Sequence, residues 1–523
     1  MSSYSDYRIC LNCSGVDHYT QRDSNFESRW VYIDLHQTER GEIEIDGRRY
    51  SLASDDGNLF AFLLPDIQSF HSISDVIERA SLCGRVEKIL QGDEALSSRL
   101  DSHCEAFVQA GFTGSVFVEK DGKVFLHKEY GAAADEDAGK SFYIASLSKQ
   151  FTAAAIMQLV EKNQIDLDES INKYLPPEFQ SDAWESVTVH HLLSHQSGIH
   201  NFTDSPDFEE KCLKMTIDSV LHEEKKEKLK FEPGSQFDYS NTNYNLLGKI
   251  IAHVSGLSYS QFIEERLLAP AEMNSSRVHT EGEKSPDMKA VKGHTSLSHL
   301  ALKESMAPDL HLIYAAGGII SCAYDLAKWS HVLDGESDIL STASIKRMTT
   351  PNLDQYGYGL TIHDEEDRRT ISHSGGLIGF STVFRKYPDE NSTIIVLSNN
   401  QDFESLTLAS SLEALLFEGK MDIAEPVPFS GQDFSDYKGV YQSNQLGSIM
   451  QFEAAESSAL QILSGEAPPA LSFTFPLSNG RVFMPDSGLE FEKQADGAIK
   501  VYLFNHPEPV DLLIPISRLV ADS

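Results

Sequence analysis

Residues 143–155 read YIASLSKQFTAAA, and the rest of the sequence is interpreted from this stretch. The apolar spacing from Ser148 to Asn163 predicts an amphipathic helix. Ser146 then lies where that helix starts, near backbone N–H groups that have no partner within the helix. Lys149 lies at i+3 from Ser146, on the same helical face. A partly buried lysine in that position would have a lowered pKa and help to take the serine proton. The S-x-x-K pattern is common by chance, so it predicts activity only together with other features.

A second polar group stands at residues 237–241, which read FDYSN and precede a predicted helix from Leu246 to Val254. A phenol titrates near pH 10, but beside an ammonium group Tyr239 could serve as a general base or pass a proton to the leaving group. Asn241 offers a donor and an acceptor that would orient the substrate or Lys149. The alternative interpretation is a packed tyrosine beside a helix-capping asparagine.

A third group stands at residues 371–380, which read ISHSGGLIGF. Glycines inside a strand pattern indicate that a ligand approaches the backbone closely. On that strand edge, His373 could donate a hydrogen bond to a substrate carboxylate or carbonyl. The alternative interpretation is a solvent-facing histidine beside a turn.

The three groups resemble, in residues and in order, the motifs of serine β-lactamases and penicillin-binding proteins: Ser146-x-x-Lys149, Tyr239-x-Asn241 and His373-x-Gly375. Because the third motif begins with His rather than Lys, the chain looks more like the class C β-lactamase-related esterases and D-amino-acid peptidases. The resemblance covers roughly residues 103 to 420, about three fifths of the chain. Four further family landmarks match, at residues 192–199, 231–234, 316–327 and 395–399.

This resemblance implies an α/β (α+β) fold, with a β-lactamase/transpeptidase-like domain of antiparallel sheet and helical lobe and the active site between them. It implies an acyl-enzyme mechanism that needs neither a metal nor another cofactor. The residues it implies are, for catalysis, Ser146, Lys149 and Tyr239; for the oxyanion hole, the N–H groups of Ser146 and Gly376; and for substrate binding, Asn241, His373 and Gly375.

The sequence divides into three predicted regions. Residues 1–85 form a β-rich extension without an assigned function, and residues 86–422 form the hydrolase domain, which opens with a helical stretch from Arg85 to Ala110. Residues 428–523 form a small all-β, barrel-like domain, because short strand patterns recur there at close, regular spacing. These strand patterns lie at 437–442, 449–452, 459–463, 472–475, 481–484, 489–492 and 499–504.

The formal net charge of -36 argues against nucleic acid and anionic membranes as partners, because such a field repels phosphates. No export signal and no run of about 18 apolar residues is visible, so we expect a cytoplasmic protein. Cys10 and Cys13 make a lone C-x-x-C, which is weak evidence for zinc or redox chemistry. The expected partner is a small-molecule ester or amide, and a homo-oligomer could form through the C-terminal domain.

The preferred activity is that of an esterase or of a D-amino-acid-type peptidase or amidase. The alternatives are a β-lactamase or D-Ala-D-Ala carboxypeptidase, an acyltransferase in small-molecule biosynthesis, and a non-catalytic acyl-binding protein. Because a histidine near its reference pKa of about 6.5 is largely neutral at pH 7, His373 offers little attraction to a carboxylate. The sequence therefore predicts substrates that are neutral or cationic.

Overall fold

The computed structural model describes six strands within residues 1–93 and most of residues 94–516. Its gaps after residue 93 lie at 136–140, 206–207, 209–214, 280–289, 299–300, 306–312, 366–367, 420–423, 428–434, 445–448, 455–459, 465–469 and 505–507. Two compact units make up the chain: Met1–Gly92 with Gly122–Val124, and Asp93–Asp121 with Phe125–Ser523. In the described residues no helix has the length and apolar character needed to cross a bilayer.

The first unit contains one antiparallel sheet with the strand order β2-β1-β6-β5-β4-β3. The predicted extension at residues 1–85 and its boundary stay predictions. The predicted helical start at Arg85 is wrong, because that residue lies within a strand and the helix begins only at Glu94. Cys10 ends the first strand, and Cys13 lies outside the described residues. The strands are β1 (Tyr7–Cys10), β2 (Trp30–Ile33), β3 (Glu42–Ile45), β4 (Arg48–Asp55), β5 (Asn58–Leu63) and β6 (Cys83–Lys88).

The second unit is built on a sheet with the strand order β14-β15-β16-β17-β7-β8. Its strands are drawn from both ends of the hydrolase region, as the fold prediction requires. The central strands are buried on both faces and read as continuous apolar runs, as in STIIVLS of β17. The strands are β7 (Gly114–Lys120), β8 (Lys123–Tyr130), β14 (Thr361–Glu365), β15 (Arg368–Leu377), β16 (Phe380–Tyr387) and β17 (Ser392–Ser398).

Helices cover both faces of this sheet. On one face, Ile394 and Val396 of β17 share a core with the helices α1 (Glu94–Val108) and α11 (Ser405–Glu413). On the other face, Thr393 donates a hydrogen bond of 3.1 Å to Ser330 of helix α9 (Ala323–Leu333). Since successive side chains of a strand point to opposite faces, β17 lies between two helical layers. The remaining described strands here form two small sheets, β9 (Phe142–Tyr143) with β10 (Arg277–Val278) and β13 (Ile319–Ser321), and β11 (His294–Ser298) with β12 (Ala301–Glu304).

A helical lobe surrounds α3 (Ser148–Glu161), whose side chains are buried at 11 of 14 positions. The run of small residues at 153–155 lets neighbouring helices pack closely against it. The other helices of the unit are α2 (Ala132–Asp135), α4 (Val189–Leu193), α5 (Ile217–Glu224), α6 (Asn241–Ser255), α7 (Tyr259–Ile263), α8 (Tyr314–Gly317) and α10 (Thr342–Met348).

The C-terminal residues form one antiparallel sheet with the order β21-β20-β19-β18-β26-β25-β24-β23-β22. Its two end strands are consecutive in the chain and joined through Thr474, so the sheet curls back on itself, as the barrel-like prediction requires. Phe475 and Phe483 belong to the same core as α1 and α11. The strands are β18 (Gly439–Ser443), β19 (Ile449–Ala454), β20 (Leu460–Ser464), β21 (Ala470–Phe473), β22 (Phe475–Pro476), β23 (Val482–Met484), β24 (Leu489–Lys493), β25 (Ile499–Leu503) and β26 (Asp511–Pro515).

Candidate active site

Ser146 lies in a tight 3-10 turn, Ala145–Leu147, that leads directly into α3. Ala145 has φ of 49°, a value that non-glycine residues rarely adopt, so surrounding contacts must hold this turn. One such contact comes from β16, where the Thr382 hydroxyl donates to the Ile144 carbonyl at 3.0 Å. The turn therefore fixes the Ser146 side chain between the sheet and the helical lobe.

Two side chains contact the Ser146 hydroxyl oxygen. The Tyr239 hydroxyl donates to it at 2.9 Å, and Lys149 Nζ lies 3.0 Å from it. Lys149 Nζ also donates to Asn241 Oδ1 at 2.8 Å and to the Ala316 carbonyl at 2.7 Å. The first two motifs thus meet at one oxygen, although residues 146 and 239 are 93 positions apart in the chain.

Burial changes the acidity of both groups beside the serine. Lys149 is fully buried, and this desolvation holds the pKa of its ammonium well below the ordinary value of 10.5. Burial raises the pKa of Tyr239 above its ordinary value of 10.0, and the hydrogen bond to Ser146 offsets this only in part. These opposite directions favour a neutral amine at position 149 and a protonated phenol at position 239.

Asn241 is the first residue of α6, which begins five residues earlier than the predicted helix. Its amide oxygen accepts from Lys149, while its amide nitrogen donates to the Thr203 hydroxyl at 3.1 Å. Both ends of the side chain therefore have protein partners. The sequence left two roles open for Asn241, orienting the substrate or orienting Lys149. These contacts favour the orientation of Lys149.

His373 lies in β15 and is 7% exposed. Its Nδ1 lies 2.6 Å from the Ser374 carbonyl, and its Nε2 lies 2.9 Å from the Tyr356 hydroxyl. Because a carbonyl only accepts, Nδ1 carries the proton and Nε2 accepts from the tyrosine. Burial, together with nearby Lys149, lowers the pKa of His373 to about 4, although the Ser374 contact opposes this change. The imidazole is therefore neutral at pH 7, and both its nitrogens have protein partners.

The edge of β15 beyond His373 is open on one side. β14 pairs with β15 only as far as Ser372, whereas β16 pairs with it as far as Leu377. Gly375 lies where a Cβ would come within 2.7 Å of the Ile144 carbonyl, so its lack of a side chain lets the strand approach the serine turn. At Gly376 a Cβ would meet no atom within 4 Å. Gly376 thus borders open space along the unpaired edge.

A cavity of about 620 Å³ opens above these groups. Residues from both lobes line it, and the Ser146 hydroxyl is at its wall. Its size is within the usual range for small-molecule sites, about 300–1,000 Å³. The described lining residues are Ser146, Phe237, Tyr239, Asp354, Gln355, Tyr356, Thr361, His363, His373, Ser374 and Gly376.

His195 and Tyr356 belong to the site although the sequence did not identify them as functional. The His195 carbonyl accepts from Asp238 N–H at 2.9 Å, and its Nδ1 accepts from Ser240 N–H at 3.1 Å, so His195 holds the backbone on both sides of Tyr239. Its ring lies 4.3 Å from the Tyr239 ring and 4.8 Å from the Tyr356 ring. The feature of the sequence that could have identified His195 is its position within the family landmark at residues 192–199.

Among the residues that the structure describes, one group of side chains could hold a metal ion by spacing alone. Ligand atoms of His331, Asp334 and Glu336 lie within 4.8 Å of one another. The Lys386 ammonium lies 2.6 Å from Asp334 and competes with any cation there. These residues do not line the cavity above Ser146, and the contacts between Ser146, Lys149 and Tyr239 do not involve them.

Comparisons with known proteins identify the family and the fold. The sequence profile of the Beta-lactamase family matches residues 100–416. The chain is 29% identical to penicillin-binding protein 4* of Bacillus subtilis over 343 residues, covering 60% of this chain and 74% of that protein. It is similar to the octameric penicillin-binding protein homologue from Pyrococcus abyssi, with 27% identity and a TM-score of 0.55 over 80% of this chain and 99% of that one. A D-amino acid amidase from Ochrobactrum anthropi is 23% identical, with a TM-score of 0.54 over 62% of this chain and 100% of that one.

The fold and the family together define a serine hydrolase for an ester or amide bond. The chain belongs to the Beta-lactamase family, as its three motifs predicted, since the family profile spans residues 100–416 of 523.

Proposed function

We propose that the protein cleaves an ester or amide through an acyl-enzyme on Ser146. The observation that carries this proposal is the position of the Ser146 hydroxyl oxygen, 2.9 Å from the Tyr239 hydroxyl and 3.0 Å from Lys149 Nζ. A serine hydroxyl is a weak nucleophile unless an adjacent base takes its proton. The two groups beside it supply a base and an acid.

Counting protons assigns their roles. A neutral amine has two N–H donors and one lone pair, and Lys149 Nζ has two neighbours that can only accept, Asn241 Oδ1 and the Ala316 carbonyl. Two N–H groups donate to these oxygens, and the lone pair is left for the Ser146 O–H. Ser146 in turn accepts from Tyr239. Lys149 therefore takes the Ser146 proton during acylation, and Tyr239 delivers its proton to the leaving group. The Lys149 ammonium then returns a proton to the Tyr239 phenolate, so both groups regain their starting states.

The oxyanion would form between the N–H groups of Ser146 and Gly376. Supporting this is the unpaired edge of β15, where Gly376 lines the cavity that contains Ser146. Donors that are already in place when negative charge develops each contribute roughly 3 kcal/mol to transition-state stabilisation. A water molecule then attacks the acyl-enzyme, and a second nucleophile in its place would give acyl transfer.

We propose neutral or cationic substrates, among which D-amino-acid amides and simple esters are the first to test. The buried, neutral His373 offers no charge to a substrate carboxylate, which disfavours the β-lactamase and carboxypeptidase alternatives. The amidase of Ochrobactrum anthropi, bound to D-phenylalanine, supports the choice of amides as substrates. Another structural neighbour is described as a hydrolase with promiscuous acyltransferase activity, so acyl transfer remains an alternative to hydrolysis.

The test is intact-mass measurement after incubation with p-nitrophenyl esters, D-amino-acid amides and β-lactams. We expect a mass increase equal to the acyl group in wild type, slow loss of that mass as the acyl-enzyme hydrolyses, and no increase in Ser146→Ala. A wild-type protein that binds these compounds without ever gaining their acyl mass would instead be the acyl-binding protein of the alternatives.

The remaining domain boundaries and the assembly also stay proposals. We propose that residues 428–523 fold as a domain that shapes substrate access or assembly, and that copies of the chain associate through it, as the octameric homologue suggests. Light scattering of the full chain and of the full-length variant Ile449→Glu, which places a charge on an exposed side chain of the C-terminal sheet, measures the oligomeric state. A cytoplasmic location is likewise proposed, and cell fractionation tests it.

A further inference from the structure

The cavity above Ser146 carries an unbalanced charge. Among its described lining residues Asp354 is the one carboxylate, and none is Lys or Arg. The other titratable side chains of this described lining are two histidines, His363 and His373, and the tyrosines. With no Lys or Arg in this described lining, Asp354 supplies a negative charge there that no permanent cation of the lining offsets.

Asp354 is exposed, and among the described residues no Lys or Arg forms an ion pair with its carboxylate. Its backbone is held in place. Asn352 N–H donates to the Tyr356 carbonyl at 2.9 Å, and Tyr356 N–H donates to the Leu353 carbonyl at 3.2 Å. Asp354 and Gln355 between them adopt φ of 53° and 58°. Aspartate tolerates this left-handed conformation better than most residues, so the turn presents an uncompensated carboxylate at the rim of the cavity.

Aromatic rings line the same cavity. The Phe237 and Tyr356 ring centroids are 5.6 Å apart, and the Tyr239 and Tyr356 centroids are 6.3 Å apart. The face of an aromatic ring carries partial negative charge and attracts cations within about 6 Å. A carboxylate beside several aromatic rings is the chemistry that recognises a substituted ammonium group.

We infer that Asp354 is a specificity-determining residue that selects substrates carrying an ammonium group, with the aromatic rings of Phe237 and Tyr356 facing its alkyl substituents. This inference rests on the proposed function, because it names the substrate class of the same site. Asp354 does not take part in bond breaking. It raises the occupancy of the cavity by cations, so its effect on acylation of Ser146 is larger for cationic esters than for neutral ones.

The test uses two pairs of esters in which a quaternary ammonium is replaced by an isosteric tert-butyl group. One pair places the charge in the leaving group, acetylthiocholine against 3,3-dimethylbutyl thioacetate. The other places it in the acyl group, p-nitrophenyl 4-(trimethylammonio)butanoate against p-nitrophenyl 5,5-dimethylhexanoate. We expect the cationic member of at least one pair to have a kcat/KM about fivefold to tenfold higher in wild type at low salt. Asp354→Asn should remove this preference by lowering kcat/KM for the cationic member, with a smaller change for the neutral member.

Asp338→Asn is the matched control, because it removes one exposed carboxylate that does not line the cavity. It should retain the preference, whereas a loss equal to that in Asp354→Asn would attribute the effect to the overall charge and overturn the inference.

Absence of a cationic preference in wild type, or equal loss for both members of a pair in Asp354→Asn, would also overturn the inference. The same question can be tested without turnover by NMR titration. The Kd of choline and the Kd of the neutral 3,3-dimethylbutanol are compared in Ser146→Ala, with and without the additional change Asp354→Asn. If no ester acylates Ser146, the proposed function fails, and choline binding then tests Asp354 by itself. Weaker choline binding after Asp354→Asn would support the inference, and unchanged binding would overturn it.

Discussion

The two walls of the cavity differ in how their polar groups are paired. On the wall formed by the first two motifs, Ser146, Lys149 and Tyr239 contact one another, and the serine oxygen remains at the cavity surface. On the wall formed by the third motif, His373 has both nitrogens paired within the protein, and the backbone edge at Gly376 is open. The difference suggests that one wall performs proton transfer through side chains and that the other binds substrate through its backbone.

The largest expected effect concerns the first wall. Ser146→Ala should lower kcat/KM by a factor on the order of 10⁴ or more, because it removes the proposed nucleophile of three side chains that would act as a unit. Ser148→Ala is the control, since its hydroxyl is buried and accepts from Ile319 N–H at 3.1 Å. Mass mapping of a fluorophosphonate adduct checks both variants. Label on Ser148, or label that persists in Ser146→Ala, would contradict the assignment.

The division of labour between Lys149 and Tyr239 predicts a pH profile. Lys149 must be neutral to act, so the rate of Ser146 labelling should rise with pH and level off well below pH 10.5, because burial lowers the lysine pKa. The raised pKa of Tyr239 keeps its phenol protonated, so no decline should appear below about pH 10. Tyr239→Phe should lower kcat by roughly 10²- to 10³-fold and leave the rising limb in place. If that variant instead loses the rising limb, the tyrosine is the base and our assignment is reversed.

Substitution of two adjacent glycines on the second wall, Gly375 and Gly376, would distinguish a structural role from a functional one. Gly376→Ala should fold normally, because its Cβ meets no atom within 4 Å, but lower kcat/KM about tenfold to a hundredfold by intruding on the substrate. Gly375→Ala should lower the stability by about 1–3 kcal/mol, since its Cβ would lie 2.5 Å from Thr382 Oγ1. Thermal unfolding and steady-state kinetics on both variants check this. Equal melting temperatures for the two variants would show that the strand adjusts to either side chain.

Sequence patterns predicted the first wall better than the second. Ser146 and Lys149 are one helical turn apart, so local spacing was enough to predict their contact. The start of α6 was missed because residues 242, 243 and 245 are Thr, Asn and Asn, which interrupt the apolar pattern. All three are fully buried and have hydrogen-bond partners, such as Phe202 N–H for Thr242 and Ser197 Oγ–H for Asn243. Burial of polar residues depends on partners elsewhere in the chain, which periodicity does not contain.

The second wall illustrates the same limit at His373. The motif located this residue on a strand beside the site, and the structure has it in β15. The strand itself extends to Leu377 because pairing with β16 continues through the glycines. The partners of the imidazole come from Tyr356, 17 residues earlier, and from its neighbour Ser374. No local pattern indicated that a tyrosine would occupy Nε2, so the predicted hydrogen bond from His373 to a substrate remains a prediction.

The smallest effect predicted from the comparison of the two walls concerns His373 and substrate charge. Wild type should turn over a neutral ester or amide more efficiently than a matched carboxylated one, and more efficiently than benzylpenicillin or nitrocefin. The reason is that His373 is neutral well above its pKa of about 4, so only below that pH would it gain a charge that attracts anions. His373→Lys should shift the ratio of kcat/KM toward the carboxylated member by about tenfold, which is about 1.4 kcal/mol of transition-state binding. His373→Gln is the control, because it also disturbs the hydrogen bond with Tyr356 but adds no charge, and its ratio should stay near that of wild type. A wild-type preference of tenfold for the carboxylated member would mean that another group, such as the open edge at Gly376, binds the carboxylate, and that the residue at position 373 does not set substrate charge.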